Sequence, residues 1–444
     1  MLRLTPTQGI VLGFACVILL GALLLMLPVA SATGERTDFL TCLFTATSAV
    51  CVTGLVVVDT GTHWSPFGQA LILLLIQTGG LGWMSVATLV ALIVRKRITL
   101  RERVFIQEAL NKENLGGVVD FARRIVLTTF IVEGLGAFIL SWRFARDFGW
   151  GRGIYYGVFH AVSAFNNAGF DVLGQAFGKF SSLTAYVADP TVNFTITTLI
   201  ILGGIGFPVI MDIWRARKFS RLSLHSKLAL LTTLLLIVTG TVLILVLEWD
   251  NVRTLKPLSW PVKLMASYFQ AVTPRTAGFN TLDIAGMKPA SQYLHVLLMF
   301  IGASPAGTGG GIKTTTFAVL VLAVITVIRG GQEVVFGGRQ ITWMRVLKAL
   351  SIAVLSFALV NVVTLILLIS EGKSFLPVLY EVTSAFGTVG LTTGITPELK
   401  FWGRLLIILT MFAGRVGPLS LAMAIWRRQV KANIHHPEEP VILG

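Results

Sequence analysis

Charge is scarce in this sequence. Of 444 residues only 13% are Asp, Glu, Lys or Arg and 54% are hydrophobic, which excludes an ordinary water-soluble domain. Cysteine is scarcer still: Cys16, Cys42 and Cys51 lie in apolar surroundings, so no disulfide framework is expected. No basic patch is interleaved with aromatic residues, so the net charge of +15 does not point to nucleic acid. Clustered His, Cys or acid pairs are missing, which leaves a membrane enzyme without support. The string Gly307 to Thr314 resembles a phosphate loop only superficially. Lys313 does not directly follow the last glycine and no strand precedes it, so neither ATP binding nor any bound cofactor is expected.

What the chain has is apolar length, with a mean hydropathy of +0.80. The runs Val11 to Leu27, Leu71 to Val94, Ile125 to Leu140, Thr195 to Ile213, Leu228 to Leu247, Val346 to Ile369 and Leu405 to Ile425 suit helices that cross about 30 Å of hydrocarbon. An eighth, Tyr293 to Ile328, is interrupted by a glycine-rich stretch. Eight spans place both termini on one side. Loops assigned to that side hold 21 of the 36 Lys and Arg residues, which predicts a multi-pass cell-membrane protein with cytoplasmic N- and C-termini. The excess positive charge then faces anionic membrane lipid or an acidic partner. The first apolar run is read as a permanent helix, because it reaches Pro28 without a small-residue cleavage context.

Four short segments repeat. Asp38 to Ala49, Gly153 to Phe165, Pro261 to Val272 and Phe375 to Phe386 are too short to span and are predicted to be re-entrant pore helices. Each leads into a loop: Cys51-Val52-Thr53-Gly54-Leu55, Asn166-Asn167-Ala168-Gly169-Phe170, Arg275-Thr276-Ala277-Gly278-Phe279 and Gly387-Thr388-Val389-Gly390-Leu391. The glycines are 115, 109 and 112 residues apart, and the third copy reaches its glycine one residue sooner. Non-helical backbone at membrane depth must be buried in protein or line water, so the four loops are expected to converge. The predicted fold is therefore an all-α integral membrane protein. Four covalently linked copies of helix, re-entrant pore helix and helix surround a pseudo-fourfold axis, as in potassium channels. The repeats are assigned to residues 1–112, 113–222, 223–335 and 336–429, followed by a tail over 430–444.

A ring of carbonyls can replace the water shell of a potassium ion. The carbonyls of Val52, Thr53, Asn167, Ala168, Thr276, Ala277, Thr388 and Val389, with Gly54, Gly169, Gly278 and Gly390, form the candidate filter. No ring of Asp or Glu occurs in the loops, which disfavours a divalent-cation filter. Because the four loops differ, few well-formed sites and moderate selectivity over sodium are expected.

A second set of glycine clusters follows in each inner helix: Gly79-Gly80-Leu81-Gly82, Gly203-Gly204-Ile205-Gly206, Gly302-Ala303-Ser304-Pro305-Ala306-Gly307-Thr308-Gly309-Gly310-Gly311 and Gly414-Arg415-Val416-Gly417. The first two are read as close helix packing. The third is long enough to break its helix below the filter and is the candidate gate. Arg415 is costly within a span, roughly 2.5 to 3.5 kcal/mol on insertion scales. It either tethers the gate loop through carbonyls and repels cations, or snorkels. Lys313 stabilises loop carbonyls or snorkels. Glu133 is a relay or, more simply, a satisfied polar partner of a neighbouring helix. His63, His160 and His295 lack metal-ligand spacing. Leu100 to Asn111 reads as a cytoplasmic interfacial helix, and the tail ends in apolar Val441-Ile442-Leu443, which suits packing on another protomer.

The runs around these loops resemble the Ktr/Trk/HKT superfamily of potassium transport subunits, and within it the Ktr B-type subunits. The likeness covers nearly the whole chain. It is carried by Thr53-Gly54-Leu55 with Val58-Asp59-Thr60-Gly61-Thr62, by the run from Ser163 to Phe170, by Tyr268 to Asn280 and by Ser384 to Thr392. The resemblance implies potassium as the transported ion, a homodimer with one pore per subunit, a cytosolic nucleotide-binding regulatory ring (Ktr A-like) and sodium as a possible activator. It matches the filter glycines to Gly54, Gly169, Gly278 and Gly390, the gating loop to Gly302 to Thr316 and the basic residue of the last inner helix to Arg415. In sodium-favouring relatives the first glycine is serine, so Gly54 argues for potassium. Pro305 and Gly309-Gly310-Gly311 depart from the pattern of the loop. The competing class is a sodium- or proton-coupled secondary transporter of another small solute, which generally shows two inverted repeats; the repeats here read as parallel.

Overall fold

The computed structural model describes residues 5–82 and 118–425. The expected interfacial helix and the C-terminal tail lie outside the described residues. Counting helices of at least eight residues, the chain forms α1 (Pro6–Leu25), α2 (Phe39–Val50), α3 (Pro66–Leu81), α4 (Val118–Phe165), α5 (Pro190–Gly204), α6 (Phe207–Ala216) and α7 (Leu224–Glu248). There follow α8 (Trp260–Val272), α9 (Pro289–Phe300), α10 (Thr314–Ile328), α11 (Trp343–Glu371), α12 (Phe375–Gly387), α13 (Phe401–Val416) and α14 (Pro418–Ile425). The helices start where capping chemistry dictates. Asp38 accepts from Thr41 N at 3.2 Å, Ser65 from Gly68 N at 3.2 Å, Asp189 from Val192 N at 3.1 Å and Ser223 from Ser226 N at 3.2 Å. A hairpin unforeseen in the sequence pairs β1 (Val334–Phe336) with β2 (Arg339–Ile341). Its two-residue turn is Gly337-Gly338, with φ of 58° and 74°.

The expected pore helices are α2, α8 and α12, each within one residue of its predicted bounds. The second is the far arm of α4, which bends at Gly149 (φ 75°) and so fuses outer helix and pore helix. Four described helices, α1, α4, α7 and α11, are long and apolar enough to cross a membrane by length and composition, and α5 with α6 makes a fifth across a 93° bend. The four are the outer helices of the four copies. Their apolar faces point outward, as in Leu135 (62% exposed), Phe138 (74%), Phe357 (64%) and Ile369 (78%), the inverse of a water-soluble surface.

The inner helices correct the sequence reading. Thr195 to Ile213 and Leu405 to Ile425 were expected as continuous spans, yet the first divides into α5 and α6 and the second into α13 and α14. Gly206 (φ 90°) and Gly417 (φ 91°) adopt left-handed backbone, and Pro208 and Pro418 open the next piece, where neither can extend the preceding helix. Packing, expected for the first two clusters, is present alongside the breaks. A Cβ on Gly79, Gly203 or Gly414 would lie 1.9, 1.8 or 1.9 Å from the carbonyls of Val50, Phe165 and Phe386 at the ends of three pore helices.

Packing between copies closes a circle. The inner helix of each copy lies on the next copy: α3 on the fused α4, and α5, α9 and α13 on the pore helices α8, α12 and, closing the circle, α2. Each outer helix meanwhile packs on its own pore helix, as α1 on α2, α7 on α8 and α11 on α12.

Candidate ion pathway

The four glycine loops meet at the centre of this circle. A Cβ on Gly54 would lie 2.4 Å from Ala168 O, on Gly169 2.6 Å from Ala277 O, on Gly278 2.5 Å from Val389 O, and on Gly390 2.2 Å from Thr53 O. Each glycine thus abuts the carbonyl that precedes the next glycine, and the fourth returns to the first. The loops also share a backbone trace. Val52, Asn167, Thr276 and Thr388 have φ of 51°, 57°, 71° and 50°, and the four glycines lie between 68° and 92°. Val52, Thr53, Asn167, Ala168, Thr276, Ala277, Thr388 and Val389 are all fully buried.

Each pore helix holds its loop through its last hydroxyl residue. Thr53 N, Ala168 N and Val389 N donate to the carbonyls of Ser48, Ser163 and Ser384 five residues earlier, at 2.7, 2.8 and 2.8 Å. In the third copy Ala277 N donates to Thr273 O four residues earlier, at 3.0 Å, which absorbs the missing residue. The side chains of Ser48 and Ser384 accept from Gly54 N and Gly390 N at 3.0 and 3.1 Å, while Ser163 and Thr273 donate to Phe170 O and Phe279 O at 2.8 and 2.5 Å. The carbonyl ends of four helices aim at the ring and carry partial negative charge, which favours a cation there. The likeness stops three residues before each glycine, where buried Cys51, Asn166, Arg275 and Gly387 differ in size and charge.

Beneath the third and fourth loops lies the segment from Gly302 to Gly311, between α9 and α10. It is closed at its neck, where Gly302 N donates to Ile312 O at 2.9 Å and Ala303 N to Gly310 O at 3.3 Å. The body docks on the break in the second inner helix: Ser304 N donates to Gly204 O (2.8 Å), Thr308 N to Gly203 O (3.1 Å) and Phe207 N to Ala306 O (3.2 Å). Its tip touches the ring residues. Gly310 N donates to the Thr388 hydroxyl at 2.9 Å, and a Cβ on Gly309 would lie 1.9 Å from the Thr276 hydroxyl. Much of the segment's backbone is therefore satisfied by protein, as non-helical backbone at this depth requires. Gly307 packs against Gly203 and Gly204 carbonyls, and Pro305 O faces Gly206.

Lys313 Nζ donates to Gly309 O at 2.6 Å. Arg415 donates to Thr308 O in the loop, and also to Gly79 O and, at 3.4 Å, to Gly80 O. The last two contacts were not expected from the sequence. They use carbonyls of the last turn of α3, where Gly79 O also accepts from Gly82 N at 3.2 Å, so one guanidinium joins the loop to the first inner helix.

Glu133 is buried and bonded to Gln77 and Asn166. Two of the histidines bond within the fold through Nδ1: His160 Nδ1 lies 2.7 Å from Tyr156 O, and His295 Nδ1 lies 3.0 Å from Tyr380 Oη. Just past the second loop and outside the spans, burial and then Asp59 push the carboxyl of Asp171 up from 3.8 to about 7.

Comparison with known proteins agrees with this architecture. The family model of TrkH, described as a cation transport protein, matches residues 5–433. The chain is 46% identical over 442 residues to the Ktr system potassium uptake protein B of Bacillus subtilis, covering 100% of this chain and 97% of that one. It is 40% identical to the potassium/sodium uptake protein NtpJ of Enterococcus hirae, covering 100% and 98%. Among solved structures, the potassium transporter TrkH from Vibrio parahaemolyticus superposes with a TM-score of 0.73 at 16% identity, covering 96% of this chain and 86% of that one. With its helices, its closed circle of packing and a match along nearly its whole length, the chain belongs to the TrkH family of cation transport proteins.

Proposed function

We propose that this chain is the potassium-translocating membrane subunit of a Ktr-type uptake system, seated in the cell membrane with both termini cytoplasmic. The observation that carries the reading is the ring in which Gly54, Gly169, Gly278 and Gly390 each abut the next loop's carbonyl. Carbonyls held so rigidly suit a dehydrated monovalent cation, and four helix ends add to the field. The repeat boundaries 1–112, 113–222, 223–335 and 336–429 follow the same fourfold order. In this reading Gly302 to Gly311, Lys313 and Arg415 form the gate, because the loop bonds both the ring and an inner helix.

The regulatory reading rests on kinship. A relative named as protein B of a potassium uptake system supports a further component, here a cytosolic nucleotide-binding ring beneath a homodimer. A relative named for potassium and sodium uptake supports sodium as an activator. The test is growth. Expression in a bacterium lacking potassium uptake, together with the regulatory subunit, should restore growth at limiting potassium, and failure of a well-expressed protein to do so would sink the reading.

Asp171 gives a pH dependence with a definite sign. Its carboxyl is neutral below about 7 and ionised above, so a negative charge enters the outer mouth as pH rises. A local charge of that sign raises cation encounter, and uptake at limiting potassium should climb about threefold between acidic and mildly alkaline medium. Asp171→Asn should flatten the profile, which isotope uptake across external pH will read.

A further inference from the structure

Glu133 sits in the first arm of α4, a helix that turns Leu127, Phe130, Ile131 and Leu135 outward, yet Glu133 itself is 4% exposed. Its two oxygens are taken by neutral amides. Gln77 Nε2 of α3 donates to Oε2 at 3.2 Å, and Asn166 Nδ2 of the second loop donates to Oε1 at 2.8 Å. Asn166 Nδ2 also donates to Gln77 Oε1 at 2.9 Å, so each of the three side chains bonds the other two. The triangle joins the inner helix of one copy, the outer helix of the next and a ring loop.

A carboxylate buried in this way contributes little to stability compared with an apolar residue of the same shape. What it does contribute is a fixed position for Asn166. The next residue, Asn167, has left-handed backbone, and its side-chain amide bonds the Thr276 hydroxyl of the third loop at 3.0 Å. The residue after that, Ala168, supplies the carbonyl that abuts Gly54. On the other side of the triangle, Asn166 Oδ1 fills the place of a Cβ on Gly80, 1.9 Å from where that carbon would stand, and Gly80 O accepts from Arg415. Only a glycine lets α3 come this close.

We propose that Glu133 is a positioning residue for ion selection: with Gln77 and Asn166 it sets the second loop, and through Gly80 it ties that loop to the helix that Arg415 holds. The inference rests on the filter reading above. Loss of the carboxyl group frees Asn166, lets Asn167 and the Ala168 carbonyl shift, and loosens the contacts of the second loop with the first and third loops together.

The experiment compares Glu133→Leu, Glu133→Gln and Gln77→Leu with Gly169→Ser in full-length protein reconstituted in liposomes, reading the potassium-to-sodium permeability ratio. Glu133→Leu should lower the ratio about tenfold, the scale set by leaving a buried amide donor without its acceptor. Glu133→Gln, which can still accept from Asn166, should keep most of it. A role in stability alone would reduce the yield of protein and leave the ratio of the survivors unchanged, and that result would overturn the proposal. Should Glu133→Leu not fold, Gln77→Leu opens the same triangle and an unchanged ratio there counts equally against it. If Gly169→Ser alters the ratio and the triangle variants do not, the positioning role fails and the filter reading stands. If none alters it, both fail.

Discussion

Gly54→Ser should strip the pore of most of its preference for potassium over sodium, by about tenfold or more, while the protein still assembles. A Cβ at this position would stand 2.4 Å from Ala168 O and must also adopt a φ of 89°. The backbone strain alone is on the order of 1 to 3 kcal/mol, a range that spans the roughly 1.4 kcal/mol that a tenfold change in selectivity represents. Relief by local movement is blocked on both sides. Ala168 is held by its bond to Ser163 and Gly54 by its bond to the Ser48 hydroxyl, so the carbonyl itself has to turn or retreat. Because the contacts run in a circle, a displaced Ala168 disturbs Gly169 and its contact with the third loop. Growth of a potassium-uptake-deficient host across potassium concentrations, with and without added sodium, will show the change, and reversal potentials will measure it. An unchanged ratio in well-folded protein would mean that this ring does not select.

The ring was legible because its sequence logic is redundant. Four short helices, each with a hydroxyl residue near its end and a glycine beyond it, state the same local geometry four times. Even the one-residue deletion in the third copy has a visible counterpart, in the bond from Ala277 to Thr273 that replaces the longer span of the other three. The breaks at Gly206 and Gly417 were not legible. A glycine that packs against a carbonyl and a glycine that turns a helix use the same letter, and here Gly203 does the first and Gly206 the second within four residues. The proline after each break was the available signal. Bonds between copies, such as those of Arg415 to Gly79 and of Gln77 to Glu133, span up to 336 residues and leave no local pattern at all. Only the cost of an isolated charge in an apolar run marks such residues, and it marks them without naming their partners.

Arg415→Ala should raise potassium flux in the absence of the regulatory subunit by about tenfold or more. The guanidinium forks between Thr308 O in the loop and the carbonyls of Gly79 and Gly80, and hydrogen bonds from a charged donor contribute on the order of 1.5 to 3 kcal/mol each. Losing them should shift the loop toward its undocked position without unfolding it. The neck pairing at Gly302, the Lys313 bond to Gly309 O and the Gly310 bond to Thr388 all remain. Charge and geometry are separable here. Removing a positive group from the pathway favours cation passage by itself, so Arg415→Ala cannot tell a tether from simple repulsion. Arg415→Lys can, because an ammonium keeps the charge but lacks the planar fork needed to bond loop and helix at once. If the fork holds the gate, Arg415→Lys should also conduct more than the native protein in a liposome flux assay, at a level below that of Arg415→Ala. Repulsion alone predicts native flux for lysine and high flux for alanine, whereas a side chain that merely snorkels predicts native flux for both.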